Sequence, residues 1–448
     1  MVHPFQSHFD TFDSELFQTQ LEPDTYLQHL DNLQSNPESY LHAESSFGEL
    51  DLPSDVVDAV ESTLNIKKPF PIQVDALSKI SSSNGHYIGS APSGSGKSLA
   101  LIISVLSLID RTNDNLQAII CAPSREIMTQ LSDILTQISD KCDPPFTVKV
   151  AKQSQNPTST ENLSAQIIIG HPIPLSNMID ADTCLDSLSV MAVDDAEHLL
   201  HTFESPDTSS TLPCPLQQLR NRLPESLRIF LFSIVYSAEG RKQSSILAPK
   251  PKVSLCDDKS VLPPQLFTCA VHAKNRDHRM DLALSLIDLL VPFGQVLVFS
   301  DQSLNSPLYR RLSATLRKDQ IRVGSLTAAD QSHYRSRVFR GIHTGAYDVI
   351  LATDIAACGL DFTNVCAVIH MDLPFLPSVE GEEPQVDFHR WVFKSGRCSR
   401  AGRVGMVINM THDMESAKAN MMISKSIGRP CPFVTTDEVA ALIGSYED

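Results

Sequence analysis

The chain has 448 residues, of which 42% are hydrophobic, and its formal net charge is −17. This length exceeds what one ordinary core fills, so we expect two domains with additional tails. The acidic balance argues against a protein that coats nucleic acid or an anionic membrane non-specifically, although it is compatible with a local basic groove.

The charge is unevenly distributed. No Lys or Arg precedes Lys67, whereas acidic and basic residues nearly balance from Gln265 onward. We therefore expect residues 1–44 to form a separate acidic extension with short amphipathic helices. The ten cysteines include no Cys-x-x-Cys pair, which predicts reduced thiols in the cytoplasm or nucleus and no structural zinc.

Neither end of the chain nor its interior shows a membrane signal. The N-terminus lacks a basic segment followed by a long apolar stretch, so it does not read as a secretory signal. The longest apolar run, near residues 99–109, is too short to span a bilayer. We therefore expect a monomer without a membrane span.

From Tyr87 onward, short β-branched runs alternate with helical patterns. This alternation predicts an α/β fold with parallel sheets covered by helices on both faces. Strands are predicted at residues 86–89, 116–121, 166–169, 190–193 and 228–232 in the first half, and at 295–299, 348–352, 367–370 and 406–409 in the second.

A segment rich in Pro, Lys and Asp, residues 249–264, separates the two halves. Such a composition is typical of a linker between domains. We therefore divide the chain into the extension at 1–44, a first domain at 45–250, a linker at 251–264 and a second domain at 265–448.

Residues 91–98, Ala-Pro-Ser-Gly-Ser-Gly-Lys-Ser, follow a predicted strand and open an apolar helical run. This setting is typical of a loop whose backbone N–H groups surround nucleotide phosphates. Lys97 can reach the β and γ oxygens, and the Ser98 hydroxyl can bind Mg²⁺. Ala91 departs from the generic pattern, which has Gly there. The alternative is a Gly/Ser-rich helix start that binds nothing, but it gives Lys97 little structural purpose. The other loop residues expected to contact the nucleotide are Ser93, Gly94, Ser95 and Gly96.

Two acids, Asp194 and Asp195, follow the predicted strand at 190–193. In open α/β sheets this is where ligand-contacting residues lie. Beside a phosphate-binding loop, Asp194 is expected to hold Mg²⁺ and Asp195 to orient the attacking water. The alternative is that the acids only cap a helix that starts near Ala196.

In the second half, Arg397 and Arg400 are three residues apart in a segment rich in Gly and Ser. Two guanidinium groups directed at one point suit a γ-phosphate whose charge must be neutralised in the transition state. The alternative is a solvated basic loop.

The chain resembles the DEAD-box RNA helicases of superfamily 2 across about residues 45–440. The resemblance implies two tandem RecA-like domains, ATP and Mg²⁺ as cofactors, and single-stranded RNA or an mRNP as a partner. It rests on short segments that occur in the family's order: residues 71–73, 91–98, 123–126, 194–197, 233–235, 353–361 and 396–400.

The same resemblance implies roles for individual residues. Gln73 would read the adenine edge and Phe47 would stack on its face, while Gly359 and Asp361 would contact the nucleotide from the second domain. Arg397 and Arg400 would act on ATP held by the first domain. Contacts with the RNA backbone would come from Pro123, Ser124, Arg125, Gly170 and Thr353.

A narrower resemblance is to the mRNA-export helicases of the nuclear pore. Residues 33–41 and 46–50 resemble their entry segment, and residues 371–374 precede an extra acidic loop at 379–384. This implies a nucleoporin and an activator that works with inositol hexakisphosphate as partners. It also implies residence in the cytoplasm, the nucleus and the rim of the nuclear pore, and an extension that inhibits domain closure.

Several positions depart from the family pattern. The acidic motif reads Asp-Asp-Ala-Glu, so that Asp195 stands where Glu would orient water and Glu197 where the last Asp would lie. The remaining departures are Ser233-Ile234-Val235 for Ser-Ala-Thr, Cys358 for Arg, Phe393-Lys394 for His-Arg, and residues 171–174 for a Thr-Pro-Gly loop.

These departures leave nucleotide binding intact and weaken hydrolysis and RNA contact. We therefore expect a slow or partner-dependent ATPase that remodels RNA or RNPs. The alternative is an ATP-gated RNA-binding adaptor with negligible turnover. A third reading, a motor that acts on DNA, is disfavoured by Gln73, Phe47 and the acidic motif.

Overall fold

The computed structural model describes residues 45–444 except 152–163, 181–182, 201–202, 205–210, 256–260, 264, 301–306, 328–329, 331, 355–361, 363, 377–382 and 400–403. Within these residues the chain forms two α/β domains, each built around its own parallel sheet. The predicted acidic extension, residues 1–44, lies outside them.

The first sheet contains seven parallel strands in the order β3-β4-β2-β5-β8-β1-β9, and β6 and β7 form a separate antiparallel pair. The strands are β1 (Tyr87–Ser90), β2 (Ala118–Cys121), β3 (Val148–Val150), β4 (Ile167–Gly170), β5 (Val190–Val193), β6 (Phe203–Glu204), β7 (Thr211–Leu212), β8 (Arg228–Ser233) and β9 (Lys252–Ser254). The helices are α1 (Ser54–Leu64), α2 (Pro71–Ser81), α3 (Lys97–Leu106), α4 (Arg125–Ser139), α5 (Pro172–Met178), α6 (Pro215–Arg220) and α7 (Ala238–Leu247).

Helices cover both faces of this sheet. Side chains alternate along a strand, so neighbouring residues enter opposite layers. Ile120 and Ile167 belong to one apolar cluster, whereas Ile119 and Ile168 belong to another. Burial on both faces explains the continuous β-branched runs.

The second sheet contains six parallel strands in the order β10-β15-β14-β11-β13-β12. They are β10 (Leu266–His272), β11 (Gln295–Phe299), β12 (Val323–Leu326), β13 (Val349–Ala352), β14 (Val365–His370) and β15 (Gly405–Thr411). The helices are α8 (Arg276–Leu290), α9 (Pro307–Lys318), α10 (Ser332–His343), α11 (Phe388–Ser395), α12 (Met414–Ile427) and α13 (Thr436–Gly444). Val296 and Leu297 again enter different clusters on opposite faces.

The predicted fold class is confirmed. One strand lies where a linker was predicted, because β9 pairs with β1 in the register Tyr87↔Lys252. The first sheet therefore extends to Ser254. Among the described helices, none combines the length and the hydropathy that crossing a bilayer requires.

Candidate functional site

The carboxyl ends of three neighbouring strands, β1, β5 and β8, lie at one edge of the first sheet, because all three are parallel. Residues 91–98, the phosphate loop, leave β1 at this edge, and the Ala91 amide donates to the Ser233 carbonyl at the end of β8 (3.2 Å). The Asp194 amide donates to the Cys121 carbonyl at the end of β2 (2.9 Å). The phosphate loop, the acidic motif and Ser233 therefore lie side by side.

The phosphate loop has the backbone of an anion-binding turn. Gly94 and Gly96 have φ of 75° and 81°, a region that favours glycine. Lys97 is buried at the start of α3, and its Nζ donates to the carbonyls of Ala91 (2.9 Å) and Pro92 (2.8 Å). The positive end of α3 and the Lys97 ammonium group together favour a bound phosphate.

Gln73 on α2 is fully buried and joins the phosphate loop to the segment before it. Its Nε2 donates to the Gly96 carbonyl (3.1 Å), and its Oε1 accepts from the Phe70 amide (2.8 Å). A Cβ on Gly96 would lie 2.7 Å from Phe70 Cδ2, so this ring packs against the loop. Sequence reasoning missed Phe70, although its place between Pro69 and Pro71, at the start of a helix, was the available signal.

Phe47 lies in the turn Phe47–Glu49 and is fully buried in an apolar cluster of the first domain. Its ring would have to leave this core to stack on a base. The roles of Phe47 and Gln73 toward adenine stay predictions.

Asp194 and Ser98 meet at the mouth of the loop, where the Ser98 hydroxyl donates to Asp194 Oδ2 (2.6 Å). Burial raises the pKa of Asp194, and the negative charge of Asp195 raises it further, while the Ser98 hydrogen bond opposes the shift. A buried carboxylate beside a hydroxyl is an all-oxygen donor set of the kind that Mg²⁺ prefers. The residues therefore fit the predicted metal.

Asp195 and Glu197 follow Asp194 in a compact turn. Asp195 has φ of 46° and ψ of 49°, and residues 196–198 form a short 3₁₀ turn. Glu197 is buried beneath this turn. Burial is the main cause of its raised pKa, with the charge of Asp195 second.

The second domain meets this site through the end of α11. A Cβ on Gly396 would lie 2.7 Å from the Ser93 Cβ, so the two backbones are in close contact. Arg397 follows directly, is 1% exposed, and donates from Nε to the Phe393 carbonyl (2.9 Å). The Phe393 ring packs on His198 with centroids 4.9 Å apart. The predicted residues Arg400, Gly359 and Asp361 lie outside the described residues.

The residues predicted to contact RNA divide between the domains. Pro123 and Ser124 follow β2 and Gly170 ends β4, and the Ala122 amide donates to the Gly170 carbonyl (3.2 Å). Arg125 begins α4 and is exposed. Thr353 follows β13 in the second domain, where its amide donates to the Leu326 carbonyl (3.1 Å).

Two family models match the chain. The model described as DEAD/DEAH box helicase matches residues 70–237, and the model described as helicase conserved C-terminal domain matches residues 280–405. Together they span more than half of the 448 residues.

Curated relatives match along most of the chain. The ATP-dependent RNA helicase dbp5 of Schizosaccharomyces pombe is 28% identical over 418 residues, which cover 92% of this chain and 78% of that protein. DBP5 of Debaryomyces hansenii is 26% identical over 401 residues, with 89% and 77% covered.

Solved structures share the fold. S. cerevisiae Dbp5 bound to RNA and ADP BeF3 superposes with a TM-score of 0.76 at 23% identity and covers 89% of this chain and 99% of that chain. Mss116p bound to single-stranded RNA and AMP-PNP has a TM-score of 0.69 at 16% identity, with 92% and 80% covered. Both similarities support two tandem RecA-like domains.

Proposed function

Because the chain belongs to the DEAD/DEAH box helicase family, we propose that it is an ATP-dependent RNA helicase, or RNP-remodelling ATPase, with weakened or partner-dependent hydrolysis. The observation that carries the proposal is the contact of Gly396 with Ser93, which sets Arg397 of the second domain beside the phosphate loop of the first. A nucleotide held in the loop would then join the two domains.

Nucleotide binding rests on residues of the first domain. The backbone of residues 93–96 and the Lys97 ammonium group would hold the phosphates. Arg397 would neutralise the charge that develops on the γ-phosphate. Removal of that phosphate would remove the group that attracts Arg397, and the domains would separate.

Ser98 and Asp194 are the residues that would hold Mg²⁺. When bound, the metal would supply positive charge to the phosphate oxygens. Ser98 positions the carboxylate of Asp194 through its hydrogen bond, so both oxygens would face the same side of the loop.

Weakened hydrolysis is inferred from the acidic motif and from the segment after β8. Asp195 is one methylene shorter than Glu, and a displacement of about 1 Å of a catalytic group can cost about 10²-fold in rate. Ile234 and Val235 carry no hydroxyl that could link the domains through hydrogen bonds.

RNA would be held through its backbone by the ends of β2 and β4 together with Thr353, so little sequence specificity is expected. Structures of S. cerevisiae Dbp5 have been solved with Gle1 H337R and IP6, and with Nup159, Gle1 H337R, IP6 and ADP. By similarity, we propose that this chain acts in mRNA export with a nucleoporin and an activator dependent on inositol hexakisphosphate. Its location would be the cytoplasm, the nucleus and the pore rim.

The test is steady-state phosphate release by the full chain with and without RNA, compared with a Lys97→Ala variant. We expect a slow release that RNA stimulates and that the variant lacks. A rate equal to that of the variant under both conditions would defeat the enzyme proposal.

A second candidate function is an ATP-gated RNA-binding adaptor with negligible turnover. It is favoured by the apolar residues Ile234, Val235 and Phe393 at positions where the family has polar groups. Retention of RNA that depends on nucleotide, without phosphate release, would identify the adaptor.

The acidic extension at 1–44 would inhibit closure when RNA is absent. Deleting it is then expected to raise the basal ATPase rate. An unchanged rate would count against inhibition by this segment.

A further inference from the structure

Glu197 is a buried acid without a hydrogen bond. The residue is 7% exposed, and neither Oε1 nor Oε2 has a hydrogen-bond partner among the described residues. A polar group taken out of water without a partner costs free energy, so native proteins seldom keep one without a reason. The carboxyl group therefore indicates a ligand.

The surroundings of Glu197 place it between the end of β8 and the phosphate loop. Ser233 and Lys97 both lie close enough to lower its pKa, while burial and the charge of Asp195 raise it. The Ser233 hydroxyl donates its proton to the Val235 carbonyl (2.7 Å), so it does not donate to Glu197. The carboxyl group thus lies among the residues that would surround the γ-phosphate.

Glu197 and Asp195 exchange lengths relative to the family's Glu-x-Asp pattern. Asp195 is one methylene shorter than the residue expected to orient water, and its backbone is held in the left-handed region with φ of 46°. Glu197 is one methylene longer than the Asp expected two residues later. The exchange keeps one long and one short acid in the motif.

We propose that Glu197, rather than Asp195, binds and orients the water that attacks the γ-phosphate. This proposal rests on the proposed function and deepens it. A bond forms between the water oxygen and the γ-phosphorus, and the bond from that phosphorus to the β–γ bridging oxygen breaks. ADP departs with the bridging oxygen, and the proton of the water passes to the Glu197 carboxylate and then to solvent.

The chemistry of the site agrees with this role. A base works best when its pKa lies near the working pH, and burial shifts Glu197 in that direction. A water bound to Oε1 or Oε2 would also satisfy the group that the described residues leave without a partner.

The first experiment compares Glu197→Gln and Asp195→Asn in the full chain with RNA and saturating ATP under single-turnover conditions. Loss of a positioned base costs about 10²-fold or more, so Glu197→Gln should lose about 10²-fold in rate with its ATP affinity retained. The matched control is Glu239→Gln on α7, whose carboxylate only accepts from Gln243 Nε2 (2.7 Å), and it should keep the wild-type rate. A larger loss for Asp195→Asn than for Glu197→Gln would overturn the proposal.

The second experiment changes length and keeps charge. Glu197→Asp should lower the rate, Asp195→Glu should not raise it, and the double variant should recover what Glu197→Asp loses by placing the longer acid at 195. If Asp195→Glu alone raises the rate and Glu197→Asp costs nothing, position 195 orients the water and the proposal is wrong.

The third experiment does not need turnover. ADP with aluminium fluoride mimics the planar phosphoryl group together with its attacking water. Glu197→Gln should weaken binding of this complex by about tenfold or more and leave ADP binding unchanged. Equal affinities for wild type and variant would overturn the inference. A selective loss would support it even if the wild type hydrolysed no ATP, an outcome that would defeat only the proposed turnover.

Discussion

The two faces of the nucleotide cleft differ in chemistry. The first-domain face is polar: Lys97, Ser98 and Asp194 are joined to the loop and to each other by hydrogen bonds of 2.6–2.9 Å. On the opposite face, Phe393 packs on His198, with ring centroids 4.9 Å apart. The chain thus separates the groups that bind phosphate from the contacts that hold the domains together.

Apolar contact between the domains continues beyond this pair. Ile234 and Val235, which follow β8 of the first domain, are buried in the apolar cluster that contains Phe393, Leu266 and Leu297 of the second. Lys394 is fully buried and pairs with Asp354 of its own domain (2.9 Å). Burial of apolar surface needs no particular hydrogen-bond geometry, so closure here depends on packing more than on polar links.

The polar face should give the largest effect. Lys97→Ala removes the ammonium group beside the phosphate loop, and loss of such a donor costs about 10²–10³-fold in rate. We expect ATP affinity and hydrolysis to fall together, as measured by fluorescent nucleotide titration and phosphate release. The control Lys149→Ala removes an exposed lysine that contacts Ser164 on the far strand β3, and it should change neither. Unchanged nucleotide affinity in Lys97→Ala would contradict the assigned site.

The apolar face should respond in stability. Phe393→Ala removes a buried ring, and such truncations cost about 3–5 kcal/mol in the free energy of unfolding. The control Phe388→Ala lies on the same helix, but its ring packs on Trp391 within the second domain (6.2 Å). Urea denaturation should show a loss for both variants, while only Phe393→Ala should weaken ATP binding. Equal ATP affinity for the two would mean that the Phe393–His198 contact does not hold the cleft.

Gly396→Ala tests the place where the two faces touch. The added Cβ would lie 2.7 Å from the Ser93 Cβ and 3.3 Å from the Val392 carbonyl, so the end of α11 must move away from the phosphate loop. Displacement of an arginine beside the phosphate should lower the ATPase rate about tenfold or more. Gly85→Ala, whose Cβ would have only Ser83 Oγ at 3.7 Å nearby, is the matched control. A wild-type rate in Gly396→Ala would show that this contact does not position Arg397.

Much of the polar face could be predicted from the sequence because its signals are local. The strands 190–193 and 295–299 were predicted to the residue, since a strand buried on both faces is a continuous β-branched run. The phosphate loop follows its own strand and precedes its own helix. Its position was therefore set by neighbouring residues.

The apolar face could not be predicted, because it depends on pairs distant in the chain. Phe393 and His198 are almost two hundred residues apart, and neither carries a local pattern that names the other. The strand β9 was missed for the same reason, since Lys252–Ser254 resembles a linker until β1 supplies its pairing. The lack of a partner at Glu197 likewise emerges only when the surrounding elements are in place.

The smallest effect is expected for the ion pair between the domains. Arg335 Nε lies 3.8 Å from Glu126 Oε1, and such pairs near the surface contribute about 0–1 kcal/mol. A double-mutant cycle with Arg335→Ala and Glu126→Ala should give a coupling energy in this range that falls with added salt. The control cycle uses Arg111 and Asp55 within the first domain, where Nη2 donates to Oδ1 (3.0 Å) and the arginine lowers the pKa of the acid. We expect the Arg111–Asp55 coupling to be the larger of the two. If the pair between the domains were coupled more strongly, charge rather than packing would hold the cleft closed.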